Sequence, residues 1–106
     1  MMLEEVEDSE LQERLWKADG PLVVFFHTPL CGTCKVGRKM LTVALAALPE
    51  IPSVACNLNA MPHWAQDWQI TSVPCLLVVE RLKVVERVYA FESAGHLFRV
   101  LQPYCS

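Results

Sequence analysis

The residues best suited to chemistry are two cysteines separated by two positions, in the run Cys31-Gly32-Thr33-Cys34. An apolar run precedes them and helix-favouring residues follow, so one sulfur should lie near the unpaired N–H groups and the positive dipole end of a helix. That position stabilises a thiolate. Two intervening residues in a helical turn also bring the sulfurs close enough to form a disulfide, so the pair can cycle between dithiol and disulfide.

The two cysteines are expected to act one after the other. Cys31, the more exposed member, would attack the disulfide of a partner, and Gly32 leaves the approach to its sulfur open. Cys34, further inside the turn, would then displace the partner from the mixed disulfide. The alternative for a lone CxxC pair is half of a zinc site, but a zinc ribbon needs a second Cys or His pair, and none is spaced for it.

The elements that position this pair follow from hydrophobic periodicity. Residues 22–26 form a continuous apolar run typical of a strand covered on both faces, and apolar residues recur with helical spacing after Gly32. Ser9 and Gln12 match a capping box at the start of a first helix. The predicted helices are 9–18, 32–48, 62–68 and 93–101, and the predicted strands are 22–26, 53–57, 75–79 and 83–90.

This order of elements predicts an α/β fold. One long helix separates the first two strands, which favours a right-handed crossover with the strands parallel. The short link 80–82 allows only an antiparallel hairpin between the last two strands. A βαβ half followed by a ββα half therefore predicts a mixed sheet covered by helices on both faces.

Length and composition indicate one globular domain spanning 1–106, with 53% hydrophobic and 20% charged residues. Nine basic against twelve acidic residues give a net charge of −3, so nucleic acid is not expected as a partner. No apolar run approaches the ~20 residues of a membrane span, and the acidic first residues do not resemble a secretory signal. We therefore expect a cytoplasmic protein, in which five irregularly spaced cysteines do not form a structural disulfide framework.

A second motif, Ile70-Thr71-Ser72-Val73-Pro74, follows the cysteines by about forty residues. Together with residues 25–34 and the long helix, it resembles the thioredoxin family over residues 22–101. The resemblance implies a thioredoxin-like fold with a mixed central sheet of four or five strands. It also implies that Pro74 is a cis-proline beside the cysteines, and that the backbone of Val73 binds an incoming peptide as an added strand.

The resemblance assigns substrate contacts to four residues around the pair: Leu30, Gly32, Thr33 and Val73. Two of them depart from the family pattern, because Leu30 stands in place of a tryptophan and Thr33 in place of a proline. Thr33 restores an N–H and a hydroxyl near the Cys31 sulfur, which favours the thiolate. We therefore expect a pair less reducing than a typical thioredoxin, with a potential above about −270 mV.

The family's buried aspartate and its lysine partner align with Phe25 and Ala55. Without that carboxylate, Cys34 is expected to be activated slowly or through water. The family's strand-end glycine in the substrate groove aligns with Tyr89 or a neighbour, so partner choice is expected to differ.

Cys75, directly after Pro74, leaves two interpretations open. In the implied fold its backbone adjoins the CxxC pair, so its thiol could lie within reach of Cys31 and Cys34. It could then form an alternative disulfide or, with His27, a soft-metal or iron–sulfur ligand set. Strand alternation favours the other interpretation, a thiol buried in the core.

Four further side chains are assigned structural roles. Cys56 lies in mid-strand and is predicted to pack in the core. Trp64 and Trp68 stand one helical turn apart and are predicted to dock a short helix on the sheet. His63 shows no partner spacing and is predicted to be a surface residue.

The sequence thus predicts a thiol–disulfide oxidoreductase that reduces protein disulfides through Cys31 and Cys34, with Pro74 shaping the groove. No cofactor is required, and electrons would come from a reductase or a low-molecular-weight thiol. The protein is expected to be a monomer that binds neither nucleic acid nor membrane. The alternatives are a zinc or iron–sulfur module using the CxxC with Cys75 or His27, and a redox-inactive interaction domain that keeps the fold.

Overall fold

Strands and helices alternate along most of the chain in the computed structural model, which describes residues 3–105. The described part contains five strands, β1 (Glu4–Glu5), β2 (Leu22–His27), β3 (Ser53–Asn57), β4 (Cys75–Glu80) and β5 (Lys83–Val88). Its α-helices are α1 (Asp8–Lys17), α2 (Gly32–Ala46), α3 (His63–Asp67) and α4 (Ala94–Leu101). Across residues 3–105, every helix is too short or too polar to cross a membrane.

The strands form one mixed sheet in the order β1-β3-β2-β4-β5. β1 and β2 run parallel to β3 on its two sides, whereas β4 is antiparallel to β2 and β5 to β4. β2 is therefore the central strand, and five of its six residues are buried. This is the predicted α/β architecture, since a strand with neighbours on both sides and helices on both faces is apolar throughout.

Helices cover both faces of the sheet, and strand alternation divides the core accordingly. Val23 and Phe25 of β2 pack with apolar residues of α2 and α4. Val24 and Phe26, on the opposite face, pack with residues of α1 and with Trp64 and Trp68 around α3. The central strand β2 thus packs against the helices on both faces of the sheet. The CxxC segment follows directly after the end of this strand.

The beginning of the chain differs from the prediction. The capping box at Ser9 is wrong, because α1 begins at Asp8 and its N-cap, Glu7, makes no side-chain capping hydrogen bond. The strand β1 was not predicted at all. Its two residues pair with Val54 and Ala55, and the pairing is extended by the N–H of Val6, which donates to the carbonyl of Ala55 at 2.9 Å.

Candidate active site

The CxxC segment occupies the turn between the end of β2 and the start of α2. Cys31 is the N-cap of α2, and its Sγ accepts a hydrogen bond from the backbone N–H of Cys34 at 3.1 Å. Thr33 Oγ1 lies 3.4 Å from the same sulfur. Cys31 is half-buried whereas Cys34 is only 3% exposed. A sulfur at this position faces unpaired helix N–H groups that stabilise negative charge.

The two cysteines form a disulfide, and their Cα atoms are 5.2 Å apart. The residues around the bond are open to solvent, because Gly32 and Thr33 are exposed and Leu30 is 99% exposed. The sulfur of Cys31 can therefore be approached from outside, while Cys34 lies behind it against the protein interior.

The segment that ends at Pro74 lies beside this pair. The Val73–Pro74 peptide bond is cis, and Pro74 packs close to Gly37 of α2, where an added Cβ would be 3.6 Å from Pro74 Cγ. The two segments border one shallow, mostly apolar groove of about 380 Å³. Residues lining it include Thr33, Val36, Met40, Pro74, Tyr89 and Phe91.

The layer beneath the pair is apolar at the two positions where the resemblance would place a carboxylate and a lysine. Phe25 and Ala55 are direct neighbours in the β2–β3 register, and both are fully buried. The Phe25 ring packs 5.9 Å from the ring of Phe91, and the guanidinium of Arg38 lies 5.5 Å above it. No proton acceptor is therefore available at either position.

A cluster of charged and ionisable side chains lies at the end of β2 instead. His27 Nε2 is 2.8 Å and 3.0 Å from the two carboxylate oxygens of Glu5 in β1. Arg38 Nη2 donates to Glu5 at 2.8 Å and lies 3.2 Å from His27 Nε2. Sequence reasoning missed this cluster, because Glu5 reaches His27 only through the strand β1.

The family assignment agrees with this geometry. The family model described as Thioredoxin matches residues 2–102 of the chain. The chain belongs to the thioredoxin family. Thioredoxin-like protein YusE of Bacillus subtilis is 40% identical over 84 residues, which cover 79% of each chain. The thioredoxin of Chlamydia trachomatis is 24% identical over 87 residues, which cover 82% of this chain and 85% of that protein.

Solved thioredoxin structures have the same fold. The thioredoxin NaTrxh from Nicotiana alata superposes with a TM-score of 0.84 at 18% identity, covering all of this chain and 96% of that one. Oxidised mitochondrial thioredoxin 3 from Saccharomyces cerevisiae superposes with a TM-score of 0.79 at 20% identity. The aligned region covers 95% of this chain and 94% of that one. With a disulfide at the CxxC position, this thioredoxin is a thiol–disulfide oxidoreductase.

The hydroxyl of Tyr89 links the end of β5 to the segment before Pro74. Its hydroxyl accepts a hydrogen bond from the N–H of Thr71 at 3.2 Å and lies 3.5 Å from the carbonyl of Gln69. Burial raises the pKa of Tyr89, but the hydrogen bonds from Thr71 and Arg87 outweigh it and lower the pKa below its ordinary value. Tyr89 therefore lines the groove and also holds the loop that contains Thr71 in place.

The other cysteines pack as core residues. Cys75 and Cys56 are free thiols with no exposed surface. Burial raises the pKa of Cys75 to about 11 and that of Cys56 to about 12, so both stay protonated at neutral pH. Across residues 3–105, no three His, Cys, Asp or Glu side chains are grouped to hold a metal ion.

Two predictions concern the α3 region. The tryptophan pair does dock this short helix, since the rings of Trp64 and Trp68 lie 4.3 Å apart and pack against the core. His63 is exposed at the surface, as predicted, but its side chain has two partners. Its Nε2 is 2.7 Å from the carboxylate of Asp8, and its Nδ1 is 3.2 Å from that of Asp67. Asp8 precedes His63 by 55 positions, so sequence spacing gave no signal of this pairing.

Proposed function

We propose that this thioredoxin reduces disulfides of protein substrates, with Cys31 as the nucleophile and Cys34 as the resolving cysteine. The observation that carries the proposal is the asymmetry of the pair at the start of α2. Cys31 is accessible and its sulfur accepts the N–H of Cys34 at 3.1 Å, whereas Cys34 is 3% exposed. A sulfur that receives a backbone N–H at a helix N-terminus ionises readily, and the thiolate is the attacking form.

The reaction has two steps that balance in electrons. The Cys31 thiolate attacks one sulfur of the substrate disulfide, that bond breaks, and the other substrate sulfur leaves as a thiolate. Cys34 then loses its proton and attacks the Cys31 sulfur, which releases the second substrate thiolate. Two electrons pass to the substrate, and the Cys31–Cys34 disulfide of the structure is the end state of the cycle.

Substrate binding is assigned to the residues that surround the accessible sulfur. Leu30, Gly32 and Thr33 present exposed surface on one side of Cys31. On the other side, the backbone of Val73 would pair with an extended peptide, and Pro74 would shape the floor of the groove. The fully exposed Leu30 side chain supplies an apolar contact, and apolar area removed from water stabilises a complex by about 25 cal/mol per Å².

The electron donor would be a reductase or a low-molecular-weight thiol, which attacks the Cys31–Cys34 disulfide in the reverse direction. Sulfur alone carries both proposed steps, so no cofactor is needed. The cytoplasmic location, the single domain over 1–106 and the monomeric state stay predictions from the sequence.

Reduction of insulin by dithiothreitol, followed as turbidity, tests the proposal. The wild-type chain should accelerate the reaction, and Cys31→Ser should reduce the rate to that of dithiothreitol alone. Reduced Cys34→Ser, mixed with insulin after dithiothreitol has been removed, should release one substrate thiol and then remain joined to the substrate, which mass spectrometry detects as a covalent adduct. Cys105→Ser, which removes a free thiol outside the pair, is the matched control and should retain the wild-type rate. Activity that survives in Cys31→Ser would instead indicate an interaction domain with no redox role.

A further inference from the structure

The resolving step needs a proton acceptor. Cys34 is 3% exposed, and burial in apolar surroundings opposes ionisation of a thiol. The two fully buried positions beneath the pair, Phe25 and Ala55, carry no ionisable group. Under the reaction proposed above, on which this inference rests, the proton of Cys34 must therefore leave by another route.

A small cleft of about 210 Å³ connects Cys34 with the cluster at the end of β2. Cys34 and His27 both line it, together with Thr28, Pro29, Lys35 and Arg38. A cleft of this volume accommodates several water molecules, since each occupies about 30 Å³ in the liquid. One bridging water is sufficient for proton transfer between a thiol and a base.

The contacts of His27 leave one of its ring nitrogens able to accept a proton. Nε2 lies 2.8 Å from the Glu5 carboxylate and 3.2 Å from Arg38 Nη2, which itself donates to Glu5 at 2.8 Å. The shorter, charge-assisted contact is the stronger one, so Nε2 carries the hydrogen and donates it to Glu5. In the neutral ring, Nδ1 then holds a lone pair. Glu5 thus fixes the tautomer and would stabilise the ring once it is protonated.

We propose that His27 is the base that accepts the proton of Cys34, through water in this cleft, when Cys34 attacks the mixed disulfide. The Cys34 S–H bond breaks, its proton passes to His27 Nδ1, and the thiolate forms a bond to the Cys31 sulfur. The substrate sulfur leaves with the electron pair of the broken disulfide. Glu5 from β1 orients the base.

The charged groups that face the cleft support the same assignment. Lys35 and Arg38 of α2 line it and stabilise a thiolate at Cys34 electrostatically. Their repulsion of a protonated His27 is offset by the Glu5 carboxylate, which contacts both Arg38 and His27 at 2.8 Å. Asn57, the β3 neighbour of His27 in the sheet register, is uncharged. The ring of His27 stacks on that of Phe25 at 5.5 Å, and its side chain is only 15% exposed, so it is held in place rather than free in solvent.

Stopped-flow reaction of the reduced protein with one equivalent of dithiobis-nitrobenzoate separates the two steps. The first coloured aromatic thiolate is released when Cys31 attacks, and the second is released when Cys34 resolves the mixed disulfide. A Cys105→Ser background removes the half-buried spare thiol. In this background, His27→Phe should slow the second phase about a hundredfold at pH 7, the lower end of typical general-base contributions, while the first phase stays within about twofold.

The pH profile distinguishes a base from a structural residue. A protonated His27 cannot accept the proton of Cys34, so the rate of the wild-type second phase should change with pH in a way that the rate of His27→Phe does not. Phenylalanine retains the ring that stacks on Phe25, so the variant is expected to fold. Glu5→Gln should produce a smaller loss in the second phase, because it weakens the orientation of the base without removing it. His96→Gln, which changes a histidine outside the cleft, should leave both phases unchanged.

Chemical rescue gives an independent readout. In His27→Ala, added imidazole should restore the second phase in proportion to its concentration. A second phase with the wild-type rate and pH profile in His27→Phe would overturn the assignment of His27. A wild-type protein that gives no first phase would instead overturn the proposed reaction itself, so the two failures are distinguishable.

Discussion

Gly37 is the residue at which helix propensity and packing oppose each other most directly. It lies within α2, where alanine is favoured over glycine by about 1 kcal/mol. A Cβ at this position would lie 3.0 Å from Phe91 Cδ2 and 3.1 Å from Phe91 Cε2, which is closer than ordinary carbon contacts. Phe91 is 5% exposed and packs against Phe25 on its other side, so its ring has little room to move.

Overpacking of a core costs about 1–3 kcal/mol, which exceeds the helix-propensity gain. We therefore expect Gly37→Ala to lower the free energy of unfolding by about 1 kcal/mol. In a domain of about this size, that loss lowers the melting temperature by roughly 4–8 °C. Because Pro74 and Phe91 line the groove, the same substitution should also slow insulin reduction.

Urea unfolding of Gly37→Ala and of the control Gly95→Ala measures the difference. Gly95 lies in α4, and an added Cβ there meets nothing closer than Arg99 Nη1 at 3.6 Å, so Gly95→Ala should raise the free energy of unfolding by up to about 1 kcal/mol. If Gly37→Ala stabilised the protein as much as Gly95→Ala, the contact between α2 and Phe91 would not be the tight one that the structure has.

Two further outcomes are expected. Hydrogen bonds to Asp8, and to a smaller extent to Asp67, raise the pKa of His63 above its usual 6.5. The stability that protonated His63 contributes is therefore fully present below pH 6.5 and is lost as the pH rises through the pKa of His63 in the folded state. The stability difference between wild type and His63→Gln, from urea unfolding, should therefore be present at about pH 5.5 and vanish by about pH 9; a difference independent of pH would contradict this. Thr33→Pro removes a hydroxyl 3.4 Å from the Cys31 sulfur, and loss of one hydrogen bond, about 0.5–1.5 kcal/mol, should lower the redox potential by about 10–30 mV in glutathione titration. An unchanged or higher potential would refute the role of that hydroxyl.

Local signals were sufficient to predict the elements that carry the CxxC pair. The run 22–26 is apolar at every position, which only a strand buried on both faces requires, and the structure has β2 at Leu22–His27. The cysteines directly precede a long amphipathic stretch, and the structure has Cys31 as the N-cap of α2. In both cases the residues that determine the structure are neighbours along the chain.

Contacts between distant residues account for what the sequence did not predict. Glu4 and Glu5 have low intrinsic preference for strands, yet they pair with β3 because the edge of that strand offers hydrogen-bonding groups. The cluster of Glu5 with His27 and Arg38 depends on that pairing. Sequence patterns report which face of an element is apolar, but they carry no signal for such polar contacts between elements.

The two edge strands of the sheet influence whether copies of this protein associate at high concentration. One edge strand is β1, which consists of two glutamates, and the other is β5, whose exposed residues include Lys83 and Arg87. β5 also departs from regular pairing between Val78 and Val79 of its neighbour. Short, charged or irregular edge strands pair poorly with strands of other chains, so these edges disfavour fibril-like self-association.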